Sequence, residues 1–237
     1  MKLLLATLLF GTVACGGGSD LDPGSGSDPG GGTGTLQLEG SVRATPRLAN
    51  ARAALDFDTE ISVRVLLGSV PVTTGTVQLT SAGGTLDLAY DNNNGNNGSW
   101  RGTAIGYDEV YVLDIESGPD TVTGVRVDGP DIHTFSAPTA GATVDSSMTM
   151  SVTWDRAVEA ETATLRTDML DNIAIPDLGM YSMSAGALQA DRSQPNENEI
   201  RLTRANRIVP AGGAVGSLFT VSVRNEIVVI AAPNPAL

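Results

Sequence analysis

Apolar residues in this chain recur with period two, in short runs about 8–12 residues apart, and no helix-forming stretch is long enough to cover a sheet. Leu36 to Arg43 alternates. Ile61, Val63 and Val65 share one face, with Ser62 and Arg64 on the other. Val77 and Leu79, then Leu86, Leu88 and Tyr90, continue the pattern across the turn at Ala82-Gly83-Gly84. Trp100 to Ile105, Val110 to Glu116 and Thr121 to Val127 follow. One segment dissents: Pro46 to Asp56 favours a short helix or an irregular crossover. The pattern predicts an all-β fold built from antiparallel sandwiches.

A second cycle begins at Ser136-Ala137-Pro138. Met148, Met150, Val152 and Trp154 alternate with Thr149, Ser151 and Thr153, which predicts a strand whose core face carries Met150, Val152 and Trp154. Further strands are expected at Glu161 to Arg166, Met180 to Ser184, Glu199 to Val209 and Ser217 to Val229. With 41% hydrophobic and 17% charged residues the chain can bury a core. About 200 residues follow residue 34, enough for two domains of roughly 100 each. Each cycle is expected to close on itself. The first spans residues 35–135, the second 136–232, and 233–237 form a tail.

The amino end carries the address. Lys2 precedes Leu3 to Val13, an apolar run of about eleven residues, too short to span a bilayer and typical of an export signal over residues 1–14. Cys15 is the only cysteine and has no disulfide partner. Residues 15–34 continue with a Gly, Ser, Pro and Asp-rich stretch read as a flexible tether, reaching roughly 25 Å when relaxed. Val13-Ala14-Cys15 resembles the lipobox of bacterial lipoproteins, with Thr12 where that family usually has leucine. The resemblance implies that Cys15 is acylated; the alternative is simple secretion, since Thr12-Val13-Ala14 also suits an ordinary signal peptidase. Gly16 after Cys15 resembles lipoproteins sorted to the outer membrane of Gram-negative cells. Beyond Lys2 the chain has thirteen arginines against 27 carboxylates, a charge of −14. That excludes an electrostatic nucleic-acid binder and adhesion of the body to anionic head groups. The membrane partner is expected to be reached through the acyl chains alone.

Asp177-Leu178-Gly179-Met180-Tyr181-Ser182-Met183 resembles the Asp-x-Gly-x-Tyr-x-Cys signature of immunoglobulin-like domains, with Met183 in the cysteine position. The resemblance implies a structural corner in which the Tyr181 hydroxyl bonds to nearby backbone and Asp177 shapes the turn. Gly68-Ser69-Val70-Pro71-Val72 followed by Val77-Gln78-Leu79 is similar to the hairpin of prealbumin-type sandwiches. These likenesses imply architecture only.

Chemistry is sparse. His133 is the only histidine. In Asp131-Ile132-His133-Thr134-Phe135-Ser136 the acid and the imidazole would share a strand face while Ser136 points away, so no triad forms. No nucleophile elbow and no aromatic-lined pair of carboxylates is present. His133 is expected at the junction of strand and linker. Asp91 to Gly98, with Asp91 and Asn93 as oxygen donors, faintly resembles a calcium loop but reads more strongly as hairpin-turn chemistry. Arg201, Arg204 and Arg207 fall on mixed faces of a strand, and solvated pairing with nearby acids is expected of them. No cofactor and no catalytic residue is expected. The sequence points to a lipid-anchored envelope protein with a non-catalytic interaction, adhesion or structural role and a protein or carbohydrate partner. The alternatives are a carbohydrate- or peptide-binding lipoprotein, or a module accessory to an envelope enzyme.

Overall fold

The two longest alternating runs, Asn196–Ile208 and Leu218–Ala231, become the two longest strands and organise the molecule. The computed structural model describes residues 21–92 and 98–236. Its first ten strands are β1 (Gly31–Gly32), β2 (Leu36–Pro46), β3 (Phe57–Leu67), β4 (Val70–Pro71), β5 (Thr76–Ser81), β6 (Gly84–Asp87), β7 (Ala89–Asp91), β8 (Ser99–Ile105), β9 (Val110–Ser117) and β10 (Asp120–Asp128). Then come β11 (Thr134–Ala137), β12 (Thr143–Val144), β13 (Met150–Asp155), β14 (Thr162–Arg166), β15 (Ile173–Ile175), β16 (Met180–Met183), β17 (Asn196–Ile208) and β18 (Leu218–Ala231). The dissenting segment is irregular apart from one 3-10 turn at Ala54–Asp56.

Three sheets form. A ten-stranded sheet runs β15-β14-β17-β18-β2-β3-β8-β7, with β12 beside β18 and β4 beside β3. Five strands (β1-β10-β9-β5-β6) and three strands (β11-β13-β16) make two smaller sheets. Pairing is antiparallel except where β18 meets β2 and β12. The fold class is the one read from the sequence: all-β, two sandwiches in tandem.

Side-chain parity shows how they are joined. Along β18, Phe219, Val221, Val223, Asn225, Ile227, Val229 and Ala231 are all buried, while the residues between them face solvent. Phe219, Val221 and Val223 belong to the first core, with Leu38, Val63, Leu113 and Val127. Ile227 and Val229 belong to the second, with Val152, Trp154, Leu165 and Leu202. One face of the long sheet is thus covered by both small sheets, side by side. Among the described residues no strand or loop is layered over the opposite face.

This corrects the expectation that each cycle closes on itself. The handover between covering sheets falls between Asp128 at the end of β10 and Thr134 at the start of β11, so a boundary at 135/136 would cut β11. Strand β18 belongs to both halves, lying between β17 and β2. Gly40 makes room for it: a Cβ there would lie 2.6 Å from the Phe219 ring. The expected Leu86–Tyr90 strand is broken at Leu88, and its halves join different sheets. The tether reading of 15–34 also changes. From Asp22 onward the chain is docked on β10, with Asp28 bridging Arg126 and Gly31 and Gly32 paired to Thr123 and Val122.

Candidate functional site

Alternation that buries Val, Ile and Leu on one side sends Ser, Thr, Arg and Glu to the open face. Register aligns them in rows. One row runs Thr162, Ala205, Ser222, Arg43, Glu60 and Thr103 across six strands; the next runs Arg207, Thr220, Ser41, Ser62 and Arg101. Arg64 sits opposite Glu39, and Arg166 beside Arg201 and Glu226. With Arg224, seven of the thirteen arginines lie on this face. Ser41, Arg43, Glu60, Ser62, Arg101 and Thr103 line a groove of about 430 Å³.

Part of this charge is internally balanced. Arg201 pairs with Glu199 and Glu226, Arg224 with Glu226 at 3.3 Å, Arg207 with Glu161 at 3.8 Å and Arg101 with Asp91 at 3.6 Å. Burial, and then the neighbouring Glu199 carboxylate, raise the Glu226 carboxyl above its usual range. Arg43, Arg64 and Arg166 have no carboxylate within ion-pair range among the described residues. Arg64 Nε is shielded from solvent without a hydrogen-bond partner. Guanidinium forks beside hydroxyls on a rigid sheet are suited to receive carboxylates from a second molecule.

The seam between the cores is polar and sealed. Arg204 follows Ile200 and Leu202 at the next inward position of β17 and is fully buried. Its Nε donates to Asp177 Oδ2 at 2.9 Å, Nη1 to the Asp131 carbonyl at 2.7 Å, and Nη2 to Asp131 Oδ1 at 3.2 Å and to the Val158 carbonyl. Asp177 also accepts from Trp154 Nε1 at 2.9 Å and Ala160 N–H at 2.7 Å. Burial pulls the Asp177 carboxyl upward, but those donors and the Arg204 charge outweigh it and hold it below the usual carboxylate range. Asn225 accepts from Ala51 N–H at 3.0 Å and donates to the Ala51 and His133 carbonyls at 2.8 and 2.7 Å. Solvated pairing, expected for Arg204, is therefore corrected: the residue is an internal cation.

His133 lies in this seam, 0% exposed, its ring edge-on to Phe135 at 6.1 Å. Neither ring nitrogen is in good hydrogen-bond geometry with a partner among the described residues, the Leu202 backbone being a polar neighbour that acts on the ring. Asp131 instead accepts from Ala157 and Val158 N–H, and Ser136 Oγ is exposed beside Thr153. Asp131 and His133 both border Arg204 in the seam, but the carboxylate is bound to Arg204 and backbone N–H groups rather than to the imidazole, and Ser136 lies outside the seam. Burial, and then the Arg204 charge, push the imidazole down to about 3 from 6.5. The unfolded chain takes up that proton first, so the stability contributed by neutral His133 is complete above pH 6.5 and declines as pH falls toward about 3. The slope is at most about 1.4 kcal/mol per pH unit. As the only histidine, it gives one imidazole NMR signal, expected to stay at its neutral position between about pH 8 and about pH 5. A midpoint near 6.5 would contradict the sealed seam.

Other expected residues fall as follows. Val152 and Trp154 are in the second core and Met150 is half-buried against it. The corner at Tyr181 is not formed: the residue sits within β16 opposite Val152, and its hydroxyl has no hydrogen-bond partner among the described residues. Asp177 turns inward to Arg204 rather than shaping a corner. Tyr181→Phe is expected to change stability by less than about 0.5 kcal/mol in denaturant unfolding. Asp91 is engaged by Arg101, while Asn93 and Cys15 lie outside the described residues. Sequence reasoning missed Arg204 and Asn225 as seam residues; their parity along β17 and β18 was the signal.

A tandem β-sandwich protein with one shared sheet and an open, arginine-bearing face is the class these features define. No family model matches the chain, and no curated protein matches it in sequence. Among solved structures it is similar to the C-terminal 282-residue fragment of intimin, crystallised with the intimin-binding domain of the translocated intimin receptor. The identity is 10% and the TM-score 0.25, over 84% of this chain and 64% of that one. It is also similar to the FN1–FN3 domains of chicken CNTN1, at 10% identity and a TM-score of 0.21, over 83% and 67%. The chain thus spans 64% of the intimin fragment's length.

Proposed function

We propose that this chain is a non-catalytic interaction module of the cell envelope, held at the outer membrane by an acylated Cys15, and that the open face of the shared sheet docks a protein partner. The observation that carries the reading is that face: uncovered over both sandwiches, with Arg43, Arg64 and Arg166 lacking carboxylate partners among the described residues. Such guanidinium groups complement an acidic protein surface and set the specificity and rate of its docking. Carbohydrate recognition by stacking asks for exposed rings, and every described Phe, Tyr and Trp is buried or half-buried. The lone imidazole is sealed in the seam, away from any surface on which acyl transfer could occur.

A photo-crosslinker at Ser62, in the groove, tests this in intact envelopes. One discrete protein adduct is expected, and Arg43→Glu with Arg64→Glu abolishes it. Because Glu60 and Glu39 stand directly opposite, the two reversals should lower the unfolding free energy by no more than about 2 kcal/mol, leaving the protein folded. An adduct that survives both reversals, or no adduct at Ser62, removes the open face as the docking surface.

A further inference from the structure

We infer that the glycine-rich segment ahead of the first sandwich is a docked strand rather than a leash, and that it sets how the protein faces its membrane. The body is held close to the bilayer at its waist, on the side of the covering sheets, with the open arginine face turned outward. The orientation rests on the anchor proposed at Cys15; the docking does not.

The contacts are numerous for a supposed linker. Asp28 and Arg126 exchange backbone hydrogen bonds of 2.9 and 2.8 Å, and Thr33 N–H donates to the Thr121 carbonyl at 3.0 Å. Gly24 and Gly26 N–H donate to Asp128 Oδ2 at 2.7 and 3.2 Å, and Arg126 Nη2 donates to the Asp22 carbonyl and Ser25 Oγ, both at 2.8 Å. On the other side, Ala211 N–H donates to the Pro29 carbonyl at 2.9 Å. The glycines serve close approach. A Cβ on Gly32 would lie 2.2 Å from the Thr121 carbonyl oxygen, and one on Gly30, at φ +66°, 2.3 Å from that of Thr123.

Direction decides the rest. Asp22 lies beside Arg126 and Asp128, at the end of β10 that leads into the seam. From there the strand runs outward to Thr35, which donates to Asp120 at 2.5 Å near the far hairpin. The chain therefore enters at the middle of the molecule. Only five residues separate Cys15 from Leu21. Fully extended they reach about 20 Å, and relaxed about 13 Å, in place of the roughly 25 Å expected of a free tether. Because β1 belongs to a covering sheet, the entry lies on the layer opposite the open face, about 10 Å across the sandwich. A body seized at its waist cannot stand off on end.

The test uses full-length acylated protein in vesicles of phosphatidylethanolamine with a fluorescent acceptor lipid. Acylation leaves no free thiol, so donors go on Ser62→Cys, on the open face, or Ser182→Cys, on the outer face of the three-stranded sheet. Energy transfer is expected to be at least twofold stronger from position 182 than from 62, and Gly32→Val to weaken both and open residues 22–34 to protease. Equal or stronger transfer from position 62 in acylated protein overturns the orientation alone. Protease cleavage within 22–34 of the folded Cys15→Ser protein overturns the docking. Mass spectrometry showing Cys15 unmodified overturns the anchor and, with it, the orientation.

Discussion

Arg204→Met is expected to lower the unfolding free energy by about 3–5 kcal/mol, the cost of stranding a buried charge. Asp177 is 3% exposed and Arg204 is its closest cation, at 2.9 Å; Arg156 is the other, at 3.7 Å. Without Arg204 the carboxylate keeps two neutral donors, Trp154 Nε1 and Ala160 N–H, in a site from which water is excluded. The carbonyls of Asp131 and Val158 lose their donor as well. Methionine fills much of the volume, so the loss reports charge and hydrogen bonding rather than a cavity. Adding Asp177→Asn should recover part of it, because the amide leaves no charge behind. Its single oxygen accepts from Trp154 or from Ala160 but not from both, since the two donors use different oxygens of the carboxylate. Urea midpoints with an unchanged m-value measure both. A loss below about 1 kcal/mol for Arg204→Met would mean that the seam is open to water.

Residues 21–135 on their own are expected not to fold. The fragment contains the whole first cycle of strands, yet Phe219, Val221 and Val223 of its core lie in β18. Removing them takes a strand from beside β2, uncovers Leu36, Leu38 and Val42, and leaves Gly40 facing a void where the Phe219 ring belongs. Burying one Phe and two Val is worth on the order of 5–8 kcal/mol, comparable to the whole stability of a small domain. The complete chain should unfold in one transition, since β17 and β18 serve both cores. A cooperative melt or a dispersed amide spectrum from the fragment would refute the shared core.

Strand positions were legible because burial of one sheet face imposes period two on the sequence. Joining of the sandwiches was written in the same signal but spoken against by chemistry. Ile200, Leu202 and Arg204 keep one parity in β17, as do Val223, Asn225 and Ile227 in β18, yet an arginine or asparagine reads as solvated wherever its partners are far away in sequence. Arg204 finds Asp177 and Asp131 at separations of 27 and 73 residues. The glycines from Gly24 to Gly34 were ambiguous for a similar reason. Freedom of the backbone and tight approach to another backbone call for the same residue, and the strand that decides between them lies about a hundred positions on. For Asp177 and Tyr181 a local pattern was outweighed by a charge brought in from β17.

The ladder between β17 and β18 has thirteen aligned residue pairs and runs without interruption from one sandwich into the other. Tension along β18 therefore loads that ladder in shear, and its bonds share the force instead of parting one at a time. The pair of sandwiches resists bending like a single spar.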